Sequence, residues 1–124
     1  MTKNTPRPAS QLAGRWRITD MEEWDRDAID LVGPAFIEFT DGDSGQFSFI
    51  VVRGWMDCRA IERDGRPGVE FSWDGDDDGD RAHGRGWALL MHDRTLKGHI
   101  YFHQGMDSAF QAEPHGSART AGGQ

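Results

Sequence analysis

Seven residues near the middle of the chain, Asp74 to Asp80, read D-G-D-D-D-G-D. Their order matches the opening of a calcium-binding loop, D-x-D-x-D-G, because calcium prefers carboxylate oxygens as ligands. The candidate ligands are Asp74, Asp76, Asp78 and Asp80. An EF-hand also needs a bidentate glutamate at its twelfth position, where this chain has Arg85. The sequence excludes an EF-hand and leaves two interpretations open, a weaker calcium site on a β-loop or an exposed acidic hairpin loop.

A second group of polar side chains falls on two neighbouring predicted strands. Trp55, Asp57 and Arg59 alternate along one strand, and Glu70 lies opposite Arg59 on the other. An indole ring, a guanidinium group and two carboxylates on one face could recognise a polar ligand. They are equally an ordinary sheet surface, on which Arg59 and Glu70 would form a cross-strand pair contributing about 0.2–1 kcal/mol.

Histidine and cysteine offer little further chemistry. His99 and His103 share a strand face but lie roughly 13 Å apart, too far to share a zinc ion. Cys58, the single cysteine, lies on an apolar face without a neighbouring histidine, which indicates an inert core thiol. The nucleophile-elbow, Walker, dinucleotide and zinc-protease motifs are missing from the sequence. We therefore predict no catalytic residue, no cofactor and no metal beyond the calcium candidate.

Composition limits both the fold and the partners. At 124 residues the chain predicts one domain, and its 16 glycines, 7 phenylalanines and 5 tryptophans favour an all-β fold. A net charge of −7 argues against nucleic acid and anionic membranes as partners. Neither a membrane-spanning run nor a signal-peptide pattern is present in the sequence, and a cytoplasmic location is expected.

The polar group is positioned by a predicted hairpin, Gly54 to Asp74, around the dipeptide Asp64-Gly65. This dipeptide favours a two-residue type I′ turn, so opposed residues have numbers that sum to 129. The register sorts both strands into a polar face and an apolar face, which a slip of one residue would mix. The predicted core residues of the hairpin are Met56, Cys58, Ala60, Val69, Phe71 and Trp73.

The remaining elements follow from alternation and turn residues. Strands are predicted at Leu12–Met21, Ala35–Thr40, Gln46–Arg53, Arg81–Met91, Thr95–His103 and Ser108–Glu113. A two-turn helix is predicted between Trp24 and Pro34, with Asp25 as N-cap. Its apolar face comprises Trp24, Ala28, Leu31 and Val32. With Asp93-Arg94 as a tight turn, Trp87 faces Ile100 inside the barrel. Residues 1–10 and 114–124 are expected to be disordered.

These elements predict an eight-stranded, mostly antiparallel, up-and-down barrel spanning residues 11–113, with one short helix after the first strand. A two-sheet sandwich is the alternative. Gly14-Arg15-Trp16 resembles the G-x-W feature that opens the first strand of lipocalins and related calycin barrels. The chain lacks a T-D-Y-type second motif and a long C-terminal helix, so it departs from that pattern.

Between Leu12 and Ala112 the chain also resembles a group of small uncharacterised bacterial proteins. The matching runs are W-D-x-D-x-x-D-L from Trp24, G-W-x-D-x-R from Gly54, V-E-F-S-W from Val69, G-R-G-W from Gly84 and F-H-Q-G-x-D-S-x-F from Phe102. That resemblance implies one compact domain and indicates no particular activity or mechanism.

Three function classes follow from this fold. The first binds a small apolar or amphipathic ligand in a barrel mouth lined by Trp16, Phe49, Phe71 and Trp87. The second is an interaction protein or homodimer with an exposed apolar patch that includes Trp55 or Phe36. The third is an enzyme of unknown reaction. The candidate ligand-binding residues are Trp16, Phe49, Trp55, Asp57, Arg59, Glu70, Phe71, Trp87 and His103.

Overall fold

The computed structural model describes residues 11–40 and 43–115 and shows a closed antiparallel barrel. Each of the eight strands pairs with its neighbours in sequence, and the last strand closes on the first. The predicted barrel, with one short helix after the first strand, is confirmed. Within the described ranges no helix has the length and apolar character needed to cross a membrane. The elements are β1 Gly14–Met21, α1 Arg26–Ile29, β2 Phe36–Thr40, β3 Ser44–Phe49, β4 Val52–Arg63, β5 Arg66–Asp77, β6 Asp80–Leu90, β7 Leu96–Phe102 and β8 Asp107–Pro114.

The two predicted terminal segments fall mostly outside the described residues. Residues 1–10 and 116–124 are not described. At the C-terminal end, however, Pro114 belongs to β8 and pairs with Trp16 of β1. The backbone N–H of His115 donates to the carbonyl of Arg15 at 2.9 Å. The barrel strand therefore continues one residue past the predicted boundary at Glu113.

The central hairpin β4–β5 has the predicted register. Cys58 lies opposite Phe71, and the turn residues Asp64 and Gly65 have φ values of 53° and 78°. Five of the six predicted core residues of the hairpin are buried. Ala60, predicted as core, is exposed because the inward side of β4 is covered only as far as Cys58.

Aromatic rings fill the interior of the barrel. Phe47 packs against Phe49 and Trp73, with ring centroids 5.8 and 5.1 Å apart. Phe102 packs edge-on to Trp73 at 5.2 Å. The space for these rings comes from glycines on facing strands: Gly54, predicted to mark a bulge or bend, lies in regular pairing opposite Phe47. A Cβ atom added there would lie 2.4 Å from the Phe47 ring.

The turn between β3 and β4 was not predicted, and a single strand was expected over Gln46–Arg53. In the structure Phe49 pairs with Val52, so Ile50 and Val51 form a two-residue turn. Ile50 has a φ of 55°, a conformation that β-branched residues seldom adopt. Its backbone N–H donates to the carbonyl of Ile29 at 2.9 Å, which ties the turn to α1. As a result Val52, and not Val51, points into the core.

The predicted register between β6 and β7 was wrong by one residue. Trp87 pairs with His99, not with Ile100, and Gly86 pairs with Ile100. The connection is longer than the expected Asp93-Arg94 turn, because the N–H of Met91 donates to the carbonyl of Thr95. Trp87 therefore lies on the outer face, where its ring is only partly buried.

The helix is shorter than predicted. Asp25 caps α1 as expected, since its side chain accepts the N–H of Ala28 at 2.9 Å. The helix ends at Ile29, and the backbone N–H groups of Asp30 and Leu31 donate to the carbonyls of Arg26 and Ala28 in its last turn. Leu31 and Val32 therefore fall outside the helix and are 66% and 73% exposed, in contrast to the predicted apolar face.

Candidate functional site

Three of the four residues predicted to line a barrel mouth are packed in the core. Phe49 and Phe71 are buried side chains. Trp16 is also buried, and its indole N–H donates to the carbonyl of Leu12 at 2.8 Å. The fourth residue, Trp87, points outward. The structure does not bring these four side chains together around an interior cavity.

Three of the four residues of the predicted polar group, all except Trp55, line one cleft on the outer face of the hairpin. Asp57, Arg59 and Glu70 surround a cleft of about 360 Å³, which we call the polar cleft. One row of side chains across the sheet contains Arg59 on β4, Glu70 on β5 and Trp87 on β6. The next row contains Asp57, Ser72 and Arg85. The residues that line the polar cleft are Asp57, Arg59, Glu70, Phe71, Ser72, Arg85 and Gly86.

The charged groups of the polar cleft are not neutralised by one another. Arg59 and Glu70 lie directly opposite, yet their side chains form no ion pair within 4.0 Å, so the predicted cross-strand pair is absent. Arg85 likewise has no carboxylate within 4.0 Å among the described residues. By contrast, Arg15 on the same barrel is bonded to Glu38 at 3.0 Å.

Aromatic side chains continue the outer face beyond the polar cleft. The Trp87 ring lies beneath the Arg63 guanidinium, whose carbon is 5.1 Å from the ring centroid. His99 stacks on Tyr101 with centroids 4.6 Å apart, and its Nε2 is hydrogen-bonded to the Asp107 carboxylate. Trp87 and His99 also line a groove of about 480 Å³ that crosses β7, β8 and β1. The indole of Trp87 is the aromatic surface nearest in register to Glu70.

Two predicted site residues belong to other parts of the surface. Trp55 lines a separate cleft of about 540 Å³, together with Val32, Phe36 and Ile50. His103 stacks on His83 with centroids 4.6 Å apart and lines a third cleft, of about 350 Å³. Neither residue lines the polar cleft.

The acidic run forms the hairpin turn between β5 and β6. Asp78 and Gly79 have φ values of 55° and 94°, as a type I′ turn requires. The Asp74 carboxylate lies 3.6 Å from the Arg81 guanidinium. Among residues 11–40 and 43–115, no three His, Cys, Asp or Glu side chains are arranged to hold a metal ion. The calcium candidate therefore has no coordinating cluster in this part of the chain.

Cys58 lies beneath the polar cleft, on the inner face of β4. Burial, and to a lesser extent the carboxylates of Asp57 and Asp43, raises the pKa of its thiol from 9.0 to about 12. A thiol with such a pKa stays protonated at neutral pH and is a poor nucleophile. The structure supports the prediction of an inert core cysteine.

The register of the central hairpin already placed Ser72 opposite Asp57 on its polar face, but sequence reasoning missed Arg85 as a member of the polar cleft. The signal was present in the second D-G dipeptide, Asp78-Gly79. A two-residue turn there makes opposed residue numbers sum to 157, which places Arg85 opposite Ser72 and Trp87 opposite Glu70. The two-residue turn rule that predicts the register of the central hairpin therefore also predicts that Arg85 and Trp87 lie beside the polar face.

Comparison of the chain with protein-family models, with curated proteins and with solved structures found no match. The function must therefore be argued from the geometry of the outer face.

Proposed function

We propose that this protein binds a small amphipathic ligand in the polar cleft, on the outside of the barrel. The observation that supports this proposal best is the pair of exposed guanidinium groups, Arg59 and Arg85, beside the cleft. Neither has an ion-pair partner within 4.0 Å among the described residues. A guanidinium group in this state can donate two parallel hydrogen bonds to a carboxylate or phosphate.

The spacing of the two arginines suits one shared anion. Arg59 and Arg85 lie on β4 and β6, the two neighbours of β5, and are offset by two residues along the strands, so their backbones are about 12 Å apart. The β5 residue beside Arg85 is Ser72, whose small side chain leaves the space between them open. The Arg85 guanidinium carbon lies over the Tyr101 ring, 5.7 Å from its centroid. We expect this side chain to turn from Tyr101 toward Ser72 on binding, so that one anion above Ser72 contacts both guanidinium groups.

The other side chains define the rest of the ligand. Asp57 and Glu70 can accept hydrogen bonds from hydroxyl or amino groups. Trp87 lines the neighbouring groove and not the polar cleft, but it lies next to Glu70 on the same face, so its indole ring can contact an apolar or planar part of a ligand that extends beyond the cleft. A molecule that carries an anionic group and a ring matches this arrangement.

The interior of the barrel supports the proposal less well than the outer face. The residues expected to line a mouth are buried against one another or point outward. Aromatic rings occupy the space between the strands, with centroids 5.1 to 5.8 Å apart around Phe47. A ligand inside the barrel would have to displace these rings.

The proposal can be tested by isothermal titration with three probes that differ in one property each. Phenyl phosphate carries a ring and an anion, inorganic phosphate only the anion, and benzyl alcohol only the ring. We expect phenyl phosphate to bind most tightly. Each of the variants Arg59→Gln and Arg85→Gln should weaken it by about 10- to 150-fold, because a charge-assisted hydrogen bond contributes about 1.5–3 kcal/mol.

The matched control is Arg53→Gln. Arg53 is also exposed on β4 but does not line the polar cleft. Its replacement should leave the affinity for phenyl phosphate unchanged. If all three variants lose affinity equally, binding reflects general surface charge and the proposal is wrong. If phenyl phosphate binds no better than either partial probe, the amphipathic character is wrong.

A further inference from the structure

The outer face carries a second cleft whose walls are apolar. Val32 and Trp55 line this cleft of about 540 Å³ and are 73% and 53% exposed. Its other apolar side chains are Phe36, Phe47, Ile50 and Val51. We call it the apolar cleft. Exposed large apolar side chains gathered in one concave place are typical of a surface that a partner covers.

The walls of the apolar cleft are held in place by the fold. Ile50 belongs to the turn between β3 and β4, which a backbone hydrogen bond of 2.9 Å joins to Ile29 of α1. Val32 lies three residues beyond α1, so the segment after the helix and the turn form one wall. Trp55 projects from regular pairing in β4, opposite Gln46 of β3. A tryptophan on a rigid strand is the kind of residue that dominates binding energy at interfaces.

The charge around the apolar cleft selects the partner. Asp76 and Asp78 line the cleft, and Arg53 is the one cation among its lining residues. The same hairpin also carries Asp74, Asp77 and Asp80, while Arg81 lies against Asp74. This rim is acidic on a chain whose net charge is already −7. A second copy would bring a like-charged rim to the contact, whereas a basic segment would be attracted to it.

We infer that the apolar cleft binds a segment of a partner protein in which an apolar side chain is flanked by lysines or arginines. The apolar side chain contacts Trp55 and Val32, and the flanking cations lie against Asp76 and Asp78. Because the barrel is closed, its strands offer no edge to a partner strand, so recognition depends on side chains and not on an added strand. The apolar cleft shares no lining residue with the polar cleft, so this inference does not depend on the proposed ligand site.

Two synthetic decapeptides test this inference with the full-length protein. Each has two central leucines and a fluorescent label. Four lysines flank the leucines on each side in one peptide, and four glutamates on each side in the other. Fluorescence anisotropy should show binding of the lysine peptide, at least about tenfold tighter than the glutamate peptide. Trp55→Ala should weaken it at least about tenfold, and Asp76→Asn with Asp78→Asn by a similar factor. Added salt should weaken it as well.

The control variant is Met106→Ala, because Met106 has the same exposed fraction as Trp55 but lies outside the apolar cleft. It should bind the lysine peptide as the wild type does. Absence of lysine-peptide binding, equal binding of both peptides, or unchanged binding in Trp55→Ala would overturn the inference. Sedimentation of the wild type as a dimer that Trp55→Ala dissociates would also overturn it, in favour of a second copy.

Discussion

Replacing Gly54 with alanine tests whether aromatic rings fill the barrel. A Cβ atom at this position would lie 2.4 and 2.7 Å from two carbons of the Phe47 ring and 2.9 Å from the Trp73 ring. Both rings are buried, so neither can move into solvent. Because the overlap is large, we take the upper part of the usual cost of overpacking, about 2–3 kcal/mol.

Part of this cost is offset in the unfolded chain. Alanine restricts the unfolded backbone more than glycine does, which stabilises the folded protein by about 0.4–1 kcal/mol. The expected net loss is therefore about 1–2.6 kcal/mol in the free energy of unfolding, measured by urea titration with tryptophan fluorescence. Gly33→Ala is the control, because a Cβ atom there would meet nothing within 4 Å. It should be neutral or slightly stabilising.

A double-mutant cycle identifies the ring responsible. Leucine at position 47 lacks the outer ring carbons that a Cβ at position 54 would meet, so in a Phe47→Leu background Gly54→Ala should cost less, with only the 2.9 Å approach to Trp73 remaining. The coupling between the two changes should reach about 1–2 kcal/mol. If Gly54→Ala costs the same in both backgrounds, or behaves like Gly33→Ala, the ring does not lie over this glycine and the description of the core is wrong.

Two further predictions concern Cys58 and the acidic run. Burial raises the pKa of the Cys58 thiol in the folded state to about 12, against its ordinary value of 9.0. Its contribution to stability is therefore fully present below pH 9 and is lost as the pH rises toward 12. Urea titrations at about pH 8 and about pH 10.5 should therefore show a larger loss for the wild type than for Cys58→Ala; equal losses would contradict the shifted pKa. Added calcium should not change the melting temperature of the wild type or of Asp76→Asn, and a calcium-dependent rise that this substitution abolishes would establish a metal site in the hairpin.

The parts of the fold that sequence predicted well depend on turns with a distinctive composition. Asp64-Gly65 supplies the two positive φ angles of a type I′ turn, and the turn then fixes every pair along β4 and β5. The relative positions of Asp57, Arg59 and Glu70 in the polar cleft were therefore predictable, because all three residues lie on those two strands. The register of β6, the third strand of the polar cleft, could have been predicted in the same way from the Asp78-Gly79 turn.

The errors arose where ordinary residues adopt left-handed backbone. Ile50 and Arg94 have φ values of 55° and 69°, although neither residue type favours that region. Tertiary contacts, such as the bond from Ile50 to Ile29, make these turns possible, and a local sequence pattern does not encode them. The unexpected connection near Arg94 shifted the β6–β7 register by one residue and moved Trp87 from the predicted interior to the outer face.

Chemical-shift mapping with phenyl phosphate tests most directly whether ligand recognition lies outside the barrel. In ¹H–¹⁵N spectra of the 124-residue chain, we expect the largest chemical-shift changes at the amides of Arg59, Ser72 and Arg85 and at the indole N–H of Trp87. The amides of the core residues Phe49 and Phe110 should stay in place. The opposite pattern, with shifts concentrated at core residues and none at the two arginines, would contradict binding on the outer face and indicate that the ligand binds inside the barrel.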